Sequence, residues 1–110
     1  MKKETLNMIG IAKRAGRAAS GAYQVEEAVR KRQARLVIVA EDASDNTRKH
    51  IADMCRYRKI PWAAAGEKAV LGKAVGQEER TCLAVTDAGL AGAVIRLMEE
   101  EGITLEREGE

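Results

Sequence analysis

The chain is predicted to be an α/β protein, a three-layer α/β/α sandwich around a small mixed four-stranded sheet. Two observations predict this. Helical and extended segments alternate throughout, the pattern of layered architectures joined by right-handed crossovers. The run Leu36-Val37-Ile38-Val39-Ala40 is continuously apolar and β-branched, as expected of a central strand buried on both faces. A mostly parallel or mixed sheet follows from that alternation.

The elements follow in order. From Glu4 to Ala15, Leu6 and Ile9 share one side with Lys13, while Met8, Ile11, Ala12 and Ala15 share another, so the first helix is apolar over a wide arc and Gly16 stops it. Arg17 to Ser20 is long enough only for a very short strand, and Ser20 is placed to cap a second helix that opens near Gly21. In that helix Val25, Ala28 and Val29 recur at helical spacing as the core face. After the Leu36–Ala40 strand, Ser44 offers an N-cap before Asp45, and Ile51, Met54 and Cys55 mark a third helix ending near Lys59. Ile60-Pro61 breaks it, and Trp62 to Ala65 gives a third strand. A short helix from Glu67 turns Val70, Leu71 and Ala74 inward and ends at Gly76. The loop Gln77-Glu78-Glu79-Arg80 leads into a fourth strand, Thr81 to Thr86. Thr86 or Asp87 caps a last helix with Leu90, Ala91, Val94, Ile95 and Met98 on its buried side.

With 110 residues, 45% apolar and 33% charged, and a single Pro, the chain suits one folded domain over 1–98, followed by an acidic tail over 99–110 that is expected to fray. Phenylalanine is absent, so Val, Ile, Leu, Ala and Met must build the core. Tyr23, Tyr57 and Trp62 are too few for a platform that stacks several single-stranded bases. Cys55 and Cys82 are not spaced as a metal or redox pair and read as buried reduced thiols. The N-terminus has no signal-peptide core and no run approaches membrane-spanning length, so a cytoplasmic protein without membrane contact is expected.

Catalytic patterns are missing. Gly16 and Gly21 have the spacing that opens a P-loop, but Ala22-Tyr23 stand where Lys and Ser or Thr would hold phosphate and magnesium, and no G-x-G-x-x-G occurs. His50, the single histidine, lies among Arg48, Lys49 and Asp53 on a polar helix face, so no metal site with several nitrogen ligands can be assembled. Glu41 and Asp42 end a central strand and read as carboxylates at a helix start. No nucleophile–base constellation is visible, so neither catalysis nor a cofactor is expected.

Charge points elsewhere. The net charge is only +2, yet Lys13, Arg14 and Arg17 precede the second helix and Arg30, Lys31 and Arg32 end it, while glutamates crowd the C-terminus. Positive charge around a helix start attracts polyanions, because the first N–H groups are unpaired and carry partial positive charge. Helical geometry places Gln24, Glu27 and Lys31 on the outer face. Gln24 can give and accept at a base edge, Tyr23 offers a ring and a hydroxyl, and Arg17 and Lys31 suit phosphates. An ordinary solvated helix explains the same face without any ligand.

The segments Ser20-Gly21-Ala22-Tyr23-Gln24-Val25-Glu26-Glu27-Ala28-Val29, Leu36 to Ala43, Ile60-Pro61 and Leu71-Gly72-Lys73-Ala74-Val75-Gly76 together resemble the L-seven-Ae and L-thirty-e family of ribosomal proteins. The likeness runs from about Leu6 to Met98, and Gly10-Ile11-Ala12-Lys13-Arg14-Ala15-Gly16 is similar to its bacterial YlxQ-like branch. The resemblance implies an L-thirty-e-like α/β/α sandwich that binds structured RNA, commonly the kink-turn, a sharply bent duplex with tandem sheared G·A pairs. It implies contacts from the start of the second helix and from the loop before the fourth strand. The expected RNA-binding set is therefore Lys13, Arg14, Arg17, Ser20, Gly21, Tyr23, Gln24, Glu27, Lys31, Gln77 and Arg80. Where the family reads Gly-Thr-Asn-Glu-x-x-Lys, this chain keeps Gly21 but carries Ala22, Tyr23, Gln24 and Glu27. Its second contact loop is usually neutral and apolar, and here it holds Glu78 and Glu79, which meet phosphate unfavourably unless Arg80 compensates. The expected partner is a structured RNA, ribosomal or from another ribonucleoprotein, bound by a monomer. The alternative is an adaptor on the same fold that binds a ribosome-associated protein.

Overall fold

The computed structural model describes residues 1–107. Its elements are α1 (Lys3–Arg14), β1 (Ala18–Ser20), α2 (Ala22–Arg30), β2 (Leu36–Val39), α3 (Asp45–Arg58), β3 (Trp62–Ala64), α4 (Lys68–Ala74), β4 (Cys82–Val85) and α5 (Ala88–Glu100). The four strands lie in the order β1-β4-β2-β3. Helices α2 and α3 pack on one face, while α1, α4 and α5 pack together on the other. All four residues of β2 and all four of β4 are buried, as central strands between two helical layers must be.

The sheet is mixed, as expected, but not mostly parallel. Only β2 and β3 run parallel; β4 runs antiparallel to both its neighbours, with Val37 opposite Ala84 and Ala19 also opposite Ala84. Helix α4 explains the reversal. Its 7 residues rise only about 10 Å, and the Arg80 N–H returns to the Lys68 carbonyl at 3.1 Å. The chain therefore re-enters the sheet at the end where it left β3.

Side chains that fill the two inner layers include Ile9, Leu36, Ile38, Ile51, Leu71, Leu83 and Met98, each essentially inaccessible to solvent. Ser44 and Asp87 cap α3 and α5 as expected, accepting from the Thr47 N–H at 3.1 Å and the Leu90 N–H at 2.8 Å. Ser20 does not cap α2: the N-cap residue is Gly21, and no side chain caps it. Ile11, counted on the apolar arc of α1, is instead 41% exposed.

After Glu99 the described residues stay packed on the domain. Helix α5 continues to Glu100, and Ile103 and Leu105 then pack against the core. Glu106 joins the edge of the sheet by two backbone bonds to Trp62, at 3.1 and 2.9 Å, and Arg56 holds its carboxylate at 2.7 and 3.0 Å. Alternation of Ile103 and Leu105 with polar residues lets a short extended segment dock there. The expected acidic tail is thus part of the fold as far as Arg107, and Glu108 and Glu110 lie outside the described residues.

Strand directions divide the connections between two ends of the sheet. One end carries Ser20–Gly21, Ala40–Ser44, Ala65–Glu67 and the loop from Gly76 to Thr81. The other carries Ala15–Arg17, Lys31–Arg35, Lys59–Pro61 and Thr86–Asp87. Among the described residues no helix is long and apolar enough to cross a membrane.

Candidate nucleic-acid interface

The start of α2 is built on Gly21. Its φ of 87° belongs to the region where glycine alone is unstrained, and its N–H donates to the Cys82 carbonyl at 3.0 Å, fixing the helix start to β4. The Gln24 Oε1 folds back toward the Ser20 N–H at 3.4 Å. Tyr23, 75% exposed, stands beside it.

The loop before β4 lies against this helix start. Arg80 donates through Nε to the Ser20 Oγ at 3.3 Å, through Nη2 to the Gln77 Oε1 at 3.0 Å, and through Nη1 to the Glu79 carbonyl at 2.9 Å. Its stem passes Gly21 at ordinary van der Waals distance. One guanidinium therefore joins the two segments that the sequence treats separately. Ser20, expected as a helix cap, is used as the acceptor of this clamp.

Gly72 sets the depth at which the loop sits. A Cβ on Gly72 would stand 1.5 Å from the Glu78 carbonyl oxygen and 2.5 Å from its carbon. The Gln77 N–H donates to the Gly72 carbonyl at 2.8 Å. Glycine is thus required here by close backbone approach.

A groove of about 340 Å³ follows α2 away from this point, between the helix and the edge strand β1. Gly16, Tyr23, Gln24, Glu27, Lys31 and Thr86 line it. Glu27 is not free to repel a ligand at full strength. Arg30 hydrogen-bonds its carboxylate and Lys31 Nζ lies 3.6 Å from Oε2. The bond from Arg30 holds the carboxyl below its ordinary range against the opposing effect of desolvation, and Lys31 adds to the lowering.

Of the expected set, Ser20, Gly21, Gln24, Gln77 and Arg80 come together at one end of the sheet, with Tyr23 at their rim. Lys13, Arg14 and Arg17 do not join them. They flank the start of β1, about 10 Å away along the strand, and Lys31 lies at the far end of α2. Positive charge therefore does not surround the helix start. The end that carries the Arg80 clamp is bordered instead by Glu41, Asp42, Glu78 and Glu79. Two of these carboxylates are structural: Glu41 accepts from the Gly66 N–H at 3.1 Å and Asp42 from the Lys68 N–H, the first of α4, at 2.8 Å. Among the described residues no three His, Cys, Asp or Glu side chains gather as a metal site. The role of Gly72 had a signal in the sequence, a glycine inside a helical stretch, which can mark a close packing approach.

Comparison with known proteins finds relatives in sequence and in fold. Residues 3–95 match the model of the ribosomal protein L7Ae/L30e/S12e/Gadd45 family. The RNA-binding protein YlxQ of Bacillus subtilis is 41% identical over 96 residues, which span 87% of this chain and 96% of that protein. A solved structure of a protein of unknown function from Bacillus halodurans superposes with a TM-score of 0.84 at 35% identity, covering 89% of this chain and 99% of that one. The 15.5kD RNA binding protein of Giardia lamblia shares the fold with a TM-score of 0.73 at 22% identity, covering 92% of this chain and 89% of its own.

Proposed function

The chain belongs to the ribosomal protein L7Ae/L30e/S12e/Gadd45 family and is similar to its YlxQ proteins, and from that premise we propose that it binds structured RNA of the kink-turn type through the surface that Arg80 assembles. One observation carries the reading: the Arg80 guanidinium bonds Ser20 and Gln77 at once, so the helix start and the loop act as a single rigid platform. The first N–H groups of α2 face a phosphate at the bend. Gln24 reaches a guanine edge once its amide leaves the Ser20 N–H, a bond of 3.4 Å that costs little to break. Arg80 offsets Glu78 and Glu79, whose exposed carboxylates flank the platform.

Titration of the protein against a kink-turn duplex and a straight duplex of the same length tests this. Binding of the kink-turn at least tenfold tighter, with Gln24→Ala removing most of the difference, is the expected result. Equal affinity for both duplexes refutes it.

The exposed pair Glu78 and Glu79 favours a second reading, an adaptor whose partner is a basic protein. Partners that persist after ribonuclease treatment, and are lost in Glu78→Gln/Glu79→Gln, are its expected result.

A further inference from the structure

We infer that the opposite end of the sheet is a second RNA-contacting surface, one that grips the sugar–phosphate backbone without reading bases. The strand directions bring Lys13, Arg14, Arg17, Arg32, Arg35 and Arg58 to this one end, although they are scattered over nearly half of the chain. A groove of about 740 Å³ opens there between the turn after α2 and the turn after α3, lined by Arg32, Arg35, Tyr57, Arg58 and Lys59 among others, and no acidic residue among those described lines it.

Among the described residues, the carboxylates nearby are already engaged. Glu27 is held by Arg30 and Lys31, Glu106 by Arg56, and Asp87 by the start of α5. Arg32 and Arg35 have no carboxylate partner among the described residues. The Arg35 backbone is fixed by its N–H bond to the Val85 carbonyl at 2.8 Å, so its side chain projects from a rigid base. Arg58 lies over the Tyr57 ring at 5.7 Å, and that ring is 82% exposed. A guanidinium and a ring so placed suit a phosphate and its adjoining ribose.

Backbone conformation points the same way. Arg32 and Lys59 have φ of 59° and 60°, the two non-glycine residues in this region among those described, and each ends or follows a helix where glycine is the usual choice. This chain places a cation at each of these positions in spite of the strain. Helix α2 links the two surfaces. Its 9 residues span about 14 Å, so a duplex that docks its bend at the Arg80 platform passes the basic end with a flanking arm.

The inference rests on RNA as the ligand but not on recognition of the bend. The test uses the full-length protein and labelled kink-turn and straight duplexes at several salt concentrations, comparing wild type with Arg32→Gly/Arg35→Gln and with Arg80→Ala. Glycine suits the backbone at position 32, so the double variant keeps its fold, which thermal melting verifies. The expected result is a loss of about tenfold at low salt on both duplexes and a salt slope shallower by about two, since each phosphate contact contributes roughly 0.9. Arg80→Ala should reduce discrimination between the duplexes and change the slope little. Wild-type affinity and slope in the double variant on both duplexes overturn the inference, as does wild-type protein that binds neither. If wild type does not discriminate but the double variant still shows the loss, bend recognition fails and the basic surface stands.

Discussion

Substituting Gly72 by Ala perturbs the platform from beneath without replacing any of its contact residues. The added Cβ would lie 1.5 Å from the Glu78 carbonyl oxygen and 3.1 Å from the Glu79 Cα, both backbone atoms. An ordinary contact begins near 3.4 Å, so the loop must retreat by about 2 Å. Two bonds that anchor it are strained by such a shift, Gln77 N–H to the Gly72 carbonyl at 2.8 Å and Arg80 N–H to the Lys68 carbonyl at 3.1 Å. Overpacking of this kind costs about 1–3 kcal/mol and each of the two weakened hydrogen bonds about 0.5 kcal/mol, for a total of roughly 2–4 kcal/mol. In a domain of this size that lowers Tm by about 8–16 °C, measured by circular dichroism. The guanidinium of Arg80, carried by the same loop, leaves Ser20, and affinity for a kink-turn duplex at a temperature where the variant is folded should fall about tenfold, while that for a straight duplex changes less. A variant that melts within about 2 °C of wild type and binds the kink-turn equally well refutes the assigned loop geometry.

Gly92→Ala is the matched control: nothing lies within 4 Å of its added Cβ in α5, so Tm should rise by about 2–4 °C. Glu27→Gln releases Arg30 and Lys31 from their shared carboxylate, and filter binding should show straight-duplex affinity rising several-fold with a steeper salt dependence. Burial pushes the Cys55 thiol from 9.0 up to about 12 and raises Cys82 as well. Neither thiol should then react with an alkylating reagent at pH 8 until denaturant is added, as mass spectrometry will show. Because the unfolded chain loses these protons first, stability is fully present below about pH 9 and declines as pH rises from there through the raised thiol values, as denaturant titrations across that range will show.

Elements with a strong local pattern were legible in the sequence. The β-branched run of β2, the Ser44 and Asp87 caps and the stop at Ile60-Pro61 each act through neighbouring residues, and each stands where expected. What depends on distant partners was not. Ser20 looked like a cap because its true partner, Arg80, lies 60 residues away. Reversal of β4 depends on where the chain leaves α4, which no periodicity records. The docking of Ile103 and Leu105 was hidden by the glutamates around them, which dominate the composition of that segment.

The charge pattern along the sequence misleads for a physical reason. Arg17 and Arg30–Arg32 flank the α2 start in sequence, yet β1 and α2 run in opposite directions, so both ends of that stretch fold to the same side, away from Gly21. Candidate contacts at the platform were legible through the family motif, whereas the basic end could be seen only once the strand order placed four separate turns together.

Amide chemical-shift mapping by nuclear magnetic resonance, with a kink-turn duplex added to the labelled protein, locates the bound RNA most directly. Large shifts at Gly21, Ala22, Gln24 and Gln77 to Arg80, with the Arg80 side-chain Nε–H moving alongside them, are the predicted result. Saturating RNA that leaves these signals in place, while shifting residues elsewhere on the sandwich, would contradict recognition at the Arg80 platform.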